Sequence, residues 1–332
     1  DPTTRPVQSV GMLSGSTLLL LDLPALQDSD DDAGVYAVGY GDGTGNRWTG
    51  AVIYKSTDGD TFSQKATVSG SPPLGRLVSH LAAGTTATWD DENYIDVRAI
   101  KGQFESRTDD AVLAGANTVA VGADGRWEVL QFGTATLVSD VSTDIHVRLS
   151  HLLRGRRGTE WAVGTGLADD MVVGVSMGAL YRLATQNSEI GATVTYKAVT
   201  IGGSYASGTD QEFVDHAVAL KPFAPTALAG AFSGSDLVLS WTRRDRLGQE
   251  LTDSVELAMS EATESYSVDI LSGSPPAIVR TLASTTPTVT YTGAQITTDF
   301  GLPPTEFDVR VVQRSVVVGR GGYGGGQMPC GR

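Results

Sequence analysis

An all-β fold built from several modules is what this 332-residue chain predicts, on three observations. Gly occurs 40 times and Val, Thr and Ser are frequent, a composition suited to short strands and many turns. Strand-like runs recur with turn punctuation between them, whereas helical periodicity is weak throughout. The length exceeds one ordinary core: at about 100–200 residues per domain, two or three domains are expected.

The elements follow in order. Residues 35–40 read as a strand ending in the loop Gly41-Asp42-Gly43-Thr44-Gly45. Residues 50–55 read as the next, ending at Thr57-Asp58-Gly59-Asp60, where Asp-Gly tolerates the positive φ of a tight hairpin. Residues 94–100 alternate, with Tyr94, Val97 and Ile100 set among charges. Residues 118–121 and 127–132 flank Ala123-Asp124-Gly125-Arg126, a second hairpin signal. Residues 171–175 and 179–183 flank a Ser176-Met177-Gly178 turn, and 192–201 is rich in Thr and Val. The best helix candidate is 148–154.

A boundary falls near Lys221, where Pro222 and Pro225 bracket a short linker. Beyond it, 236–241 is a strand with an inward Trp241. Tyr266, Val268 and Ile270 share one face of the next. Residues 288–292 form a short β run, 307–313 alternate, and 316–318 close the set. That rhythm predicts an immunoglobulin-like sandwich. The proline start, the Trp241 strand and the Tyr266 strand resemble fibronectin type III in particular. The expected organisation is a β-rich domain over 1–220, divisible into two subdomains, then a fibronectin type III-like sandwich over 221–319. A flexible Gly-rich tail is expected over 320–332, because glycine buries too little surface to offset its entropy.

Charge and cysteine content narrow the function. A formal charge of −14 repels phosphate backbones, which argues against direct nucleic-acid recognition. The single cysteine, Cys330, allows neither an internal disulfide nor a cysteine-based zinc cluster. The run Thr17-Leu18-Leu19-Leu20-Leu21 is far below the roughly 20 residues of a membrane span, so no transmembrane segment is expected. The opening Asp1-Pro2-Thr3-Thr4, without an initiator Met, reads as a piece of something longer.

Candidate chemistry is sparse. Gly174-Val175-Ser176-Met177-Gly178 matches the G-x-S-x-G nucleophile elbow, and Asp210 and His216 follow in hydrolase order. An elbow needs a parallel strand before it and a helix after it, but residues 179–183 alternate like a returning strand. Ser176 is therefore read as part of a hairpin turn, a serine hydrolase is the least favoured function, and no enzyme is expected. The acidic run 28–32 lacks the Gly and Glu of an EF-hand at its sixth and twelfth positions, Ala33 and Gly39. A solvated loop is the simpler reading, with a calcium site of another type left open. His80, His146, His151 and His216 have no metal-ligand spacing, so no metal or cofactor is predicted. Trp48 and Trp89 are candidate sugar-stacking platforms, which makes a carbohydrate-binding adhesin the main alternative function. Plugging the end of a core is the simpler role for both.

One segment is distinctive: Leu149-Ser150-His151-Leu152-Leu153-Arg154-Gly155-Arg156-Arg157-Gly158-Thr159-Glu160. It resembles the LSRLLRGRRGTE signature of large tail-tip proteins of gene transfer agents and related long-tailed phages. Residues 112–117, 125–132, 241–244, 266–268 and 299–301 resemble the same family, so the similarity spans about 20–321. His151 departs from the Arg or other polar residue usual there. The resemblance implies the C-terminal portion of a baseplate hub, located at the distal tail tip of a virion and synthesised in the bacterial cytoplasm. It implies other tail-tip and baseplate proteins as partners and a homotrimer in the full-length assembly. Host attachment and entry are the implied function, with host surface polysaccharide a further candidate partner. It supplies no catalytic residues. In the signature, Arg154, Arg156 and Arg157 alternate with Gly155 and Gly158, and an arginine cluster on an acidic chain is expected to lock a loop, through carboxylates, onto its own domain or a neighbouring subunit, with direct ligand binding the alternative.

Overall fold

The computed structural model describes residues 13–43, 47–141, 144–176, 180–248 and 259–329. The chain divides into two units: Asp1–Leu23 with Ala33–His216, and Pro24–Asp32 with Ala217–Arg332. Both are built from antiparallel sheets, as the composition predicts.

The first unit opens with β1 (Ser16–Leu21), β2 (Gly34–Gly41), β3 (Ala51–Ser56) and β4 (Ser63–Val68). It continues with β5 (Leu74–Leu77), β6 (Ile95–Lys101), α1 (Asp109–Leu113), β7 (Thr118–Gly122), β8 (Glu128–Val141), β9 (Asp144–Arg156) and β10 (Met171–Gly174). It ends with β11 (Tyr181–Ala184), β12 (Thr193–Thr200) and β13 (Asp210–Val214). The outer strands make two sheets, β1-β2-β11 and β13-β12-β3-β4, while the middle ones close a barrel, β10-β5-β6-β9-β8-β7. The barrel is thus a contiguous insertion between β4 and β11.

Each part has its own core. Leu20, Val35, Ile53, Tyr196 and Phe213 fill the sandwich, and Val97, Val121, Leu130, Phe132, Leu149 and Leu152 fill the barrel. Burying each such aliphatic or phenyl side chain contributes about 1.5–3 kcal/mol. The insertion is joined economically, since the Gly174 N–H donates to Pro73 O at 2.8 Å where the chain enters and leaves. Strand direction then assigns the connections. Residues 78–94, 123–127 and 157–170 lie at the end of the barrel opposite that entry, because β5, β7 and β9 all run towards it.

Two expectations fail in this unit. The helix expected over 148–154 is part of β9. Leu149 and Leu152 both face the core, a helical spacing, because His151 takes a left-handed φ of 57° that shifts the alternation. Nor do β10 and β11 form a hairpin about Ser176. β10 pairs with β5 and β7, β11 pairs with β2, and residues 177–179 lie outside the described set.

The second unit comprises β14 (Thr226–Ser233), β15 (Asp236–Thr242), β16 (Tyr266–Ser272), β17 (Ala277–Ser284), β18 (Thr288–Tyr291), α2 (Gly293–Phe300), β19 (Glu306–Ser315) and β20 (Gly319–Pro329). Its sheets are β14-β15-β18 and β17-β16-β19-β20. Trp241 and Tyr266 meet edge-on at 5.0 Å in its core, and Tyr291 and Phe307 at 5.9 Å. Thr292 caps α2 through a reciprocal pair with Gln295.

The tail, expected to be flexible from residue 320, is instead strand β20 up to Pro329; residues 330–332, with Cys330, lie outside the described set. Two contacts explain this. The carboxylate of Asp269 on β16 is fully buried and takes Arg320 and Thr281 as donors. The glycines let the linker approach closely: a Cβ on Gly324 would sit 1.9 Å from Pro225 O, and one on Gly321 2.4 Å from Pro222 O. What reads as low complexity is a close-packing requirement.

The two sandwiches share one strand order. In each, the first, second and fifth strands form one sheet, and the fourth, third, sixth and seventh form the other. They differ in the link between fourth and fifth strands, which is residues 285–287 in the second and contains the whole barrel in the first.

Candidate functional site

β9 carries the arginine-glycine signature to the far end of the barrel and into a tight turn. Arg154 is completely buried. Its Nε and Nη2 donate to the two oxygens of Glu128 at 2.6 and 2.8 Å. Its Nη1 donates to Asp90 at 3.0 Å and to Ala82 O at 3.1 Å. Asp90 is held in turn by Asn93 and by a backbone bridge to Leu152. Burial pulls the Arg154 pKa down, but Glu128 and Asp90 outweigh it, so the group stays charged. Arg154 therefore fastens residues 82–90 to β8 and β9 within its own barrel.

The next residues form a knuckle. Gly155, Arg157 and Gly158 have φ of 61°, 57° and 78°. At Gly155 a Cβ would lie 3.0 Å from both Glu160 Cα and Thr86 Cγ2, so with its positive φ a side chain there would be strained and crowded. Arg156 donates from Nε to Gln131 at 3.0 Å. The buried Thr159 donates to Arg156 O at 2.7 Å and accepts from the Val129 N–H at 2.9 Å. The short turn Glu160–Ala162 then projects Trp161, which is 48% exposed between the buried Thr159 and Ala162.

A second cluster lies on the barrel side. The His151 ring stacks on Trp89 with centroids 3.9 Å apart and the two planes nearly parallel. Its Nδ1 faces Asp91 at 2.5 Å and its Nε2 faces Asp109 at 3.4 Å. The hydrogen bond to Asp91 raises the His151 pKa against the opposing effect of burial, and Asp109 adds to it. Gly133 leaves room for the ring: a Cβ there would be 2.8 Å from His151 Cδ2.

The other sequence candidates are dispersed. Trp48 is half-buried over Gly39 and Gly41, with its Nε1 donating to Ser16 Oγ at 2.8 Å. Trp89 has one ring face against His151. The Ser176 Oγ accepts from the Thr118 N–H at 3.0 Å, Asp210 pairs with Lys197 at 3.0 Å, and the His216 N–H donates to Asp22 at 2.8 Å. The acidic run is used internally: Asp31 pairs with the buried Arg246, Asp28 accepts from the Gly248 N–H, and Asp30 accepts from the Gln27 N–H. Among the described residues no group of three or more His, Cys, Asp or Glu is placed to hold a metal ion.

Trp161 was not singled out in the sequence, nor were Glu128 and Asp90 as partners of Arg154. The available signal was adjacency, since Trp161 directly follows the signature.

No curated protein matches the chain. Among solved structures, a chain from a cytokine receptor complex is similar with a TM-score of 0.28 and 10% identity, over 94% of this chain and 96% of that one. Residues 73–173 match the family described as Rcc01698-like, C-terminal, and that stretch coincides with the closed barrel from the start of β5 to β10.

Proposed function

We propose that this chain is a structural component of the tail tip of a gene transfer agent or long-tailed phage, acting in host attachment and entry. The observation that carries the reading is the match over 73–173, which spans the closed barrel and contains the tail-tip-like signature, residues 149–160, towards its C-terminal end. The matched family is associated with gene transfer agents. In this reading the chain works with other baseplate proteins within a trimeric hub, and the second sandwich is a fibronectin type III-like appendage. The three-plus-four strand order and the Trp241–Tyr266 core pair support that assignment. The chain acts by binding rather than by catalysis: Ser176 has a backbone N–H on its hydroxyl and the surrounding strands are antiparallel, unlike a nucleophile elbow.

The test is a producing strain in which residues 73–174 are replaced by a short turn. Particles are expected to adsorb to cells at a small fraction of the normal rate. Normal adsorption, or absence of the chain from purified particles by mass spectrometry, would overturn the reading. Ser176→Ala should leave adsorption and gene delivery unchanged.

A further inference from the structure

We propose that the end of the barrel opposite its entry and exit binds an uncharged glycan, with Trp161 as the stacking platform. This deepens the attachment reading above and rests on it for its biological setting, though the binding site stands on its own geometry.

Topology brings residues 78–94, 123–127 and 157–170 together at that end, and hydrogen bonds brace them into one surface. The Leu81 N–H donates to Gly166 O at 3.0 Å, and the His80 ring lies 3.1 Å from Gly164 O. Arg126 donates to Thr165 O at 2.9 Å and pairs with Asp170. Arg154 ties down Ala82 from beneath. A surface fixed in this way loses little further entropy on binding.

Trp161 differs from the other tryptophans. Trp127 and Trp241 are buried, Trp48 is half-buried and hydrogen-bonded to Ser16, and Trp89 is stacked on His151. Trp161 is about half exposed, yet its neighbours Thr159 and Ala162 are completely buried. The turn leading to it also holds Arg157, a non-glycine residue, in the left-handed region, which is unfavourable and persists where the surroundings impose it. A rigid, strained support for a solvent-facing indole is the arrangement of a binding anchor.

The surroundings select the ligand. Thr85, Thr86 and Thr88 are exposed on the first connection and offer hydroxyls, and the exposed carboxylates Asp124 and Asp169 on the other two connections can accept hydrogen bonds from sugar hydroxyls. Those carboxylates, on a chain of net charge −14, repel polyanions. An indole face with hydroxyl partners and acidic surroundings fits an uncharged hexose chain.

Binding of the full chain to immobilised maltohexaose, cellohexaose, laminarihexaose, mannohexaose and chitohexaose is the test, with an oligouronate alongside. At least one uncharged oligosaccharide should bind. Trp161→Ala should weaken it about tenfold or more, the equivalent of about 1.4 kcal/mol, with an unchanged melting temperature. Trp161→Tyr should retain part of the affinity. No binding to any uncharged member, binding to the oligouronate alone, or binding indifferent to Trp161→Ala would each overturn the proposal. Particle composition separates this outcome from the function above. A chain present in particles but without glycan affinity removes the site and leaves the tail-tip reading, whereas a glycan-binding chain absent from particles does the reverse.

Discussion

The two sandwiches follow one strand order but treat the link between their fourth and fifth strands differently. In the second, residues 285–287 suffice; in the first, the chain builds a complete barrel before returning as β11. The link passes from one sheet to the other, so it contributes no strand to either. Lengthening it costs little, because loop-closure entropy rises slowly with length and the barrel's ends are already joined through Gly174 and Pro73. The cores stay separate: Tyr196 and Phe213 serve one sandwich, Leu130 and Phe132 the barrel. The first unit is therefore a sandwich that carries the barrel as an insertion.

The strongest way to break that comparison is excision. Replacing 73–174 by a short turn should leave the first sandwich folded, and residues 70–176 alone should fold as a barrel, both read by circular dichroism and thermal melting. Loss of either fold would show that the two depend on each other. Next comes Arg154→Ala, which leaves Glu128 and Asp90 buried without their cation. It should destabilise the barrel by about 3–5 kcal/mol while the second sandwich melts as before. In the second sandwich, Arg320→Ala removes a donor from the buried Asp269 and should cost about 2 kcal/mol, measured by urea unfolding. The smallest effect is pH dependence. The folded His151 pKa is raised, so its contribution is complete below the unfolded value of about 6.5 and is lost as pH rises through the folded value. Barrel stability should fall by about 1 kcal/mol or less as pH rises above about 6.5, and His151→Gln should flatten that slope.

Legibility varied with the range of the interaction. The hairpins at Asp58-Gly59 and Asp124-Gly125 were readable because turn chemistry is local; both glycines have positive φ, 81° and 76°. The locking role of an arginine was readable from residue type, but not which arginine performs it. Arg154 meets Glu128 and Asp90, 26 and 64 positions away. Trp48 and Trp89 have polar neighbours in sequence, whereas exposure depends on what folds over the ring. That criterion favours Trp161.

Composition and alternation by themselves determined that the protein is all-β and built of short strands separated by turns. These follow from local steric preference and from the two-residue period of a strand. Only the tertiary structure decided that 148–154 is a strand, that the Gly-rich end is β20 rather than a flexible tail, and that β10 and β11 belong to different sheets. In each case the deciding partner lies far along the chain. His151 leans on Asp91 and Asp109, β20 completes the surroundings of Asp269, and β11 returns to β2 past an entire barrel. Strand pairing is non-local, so a sequence that specifies each strand leaves open which neighbour it finds.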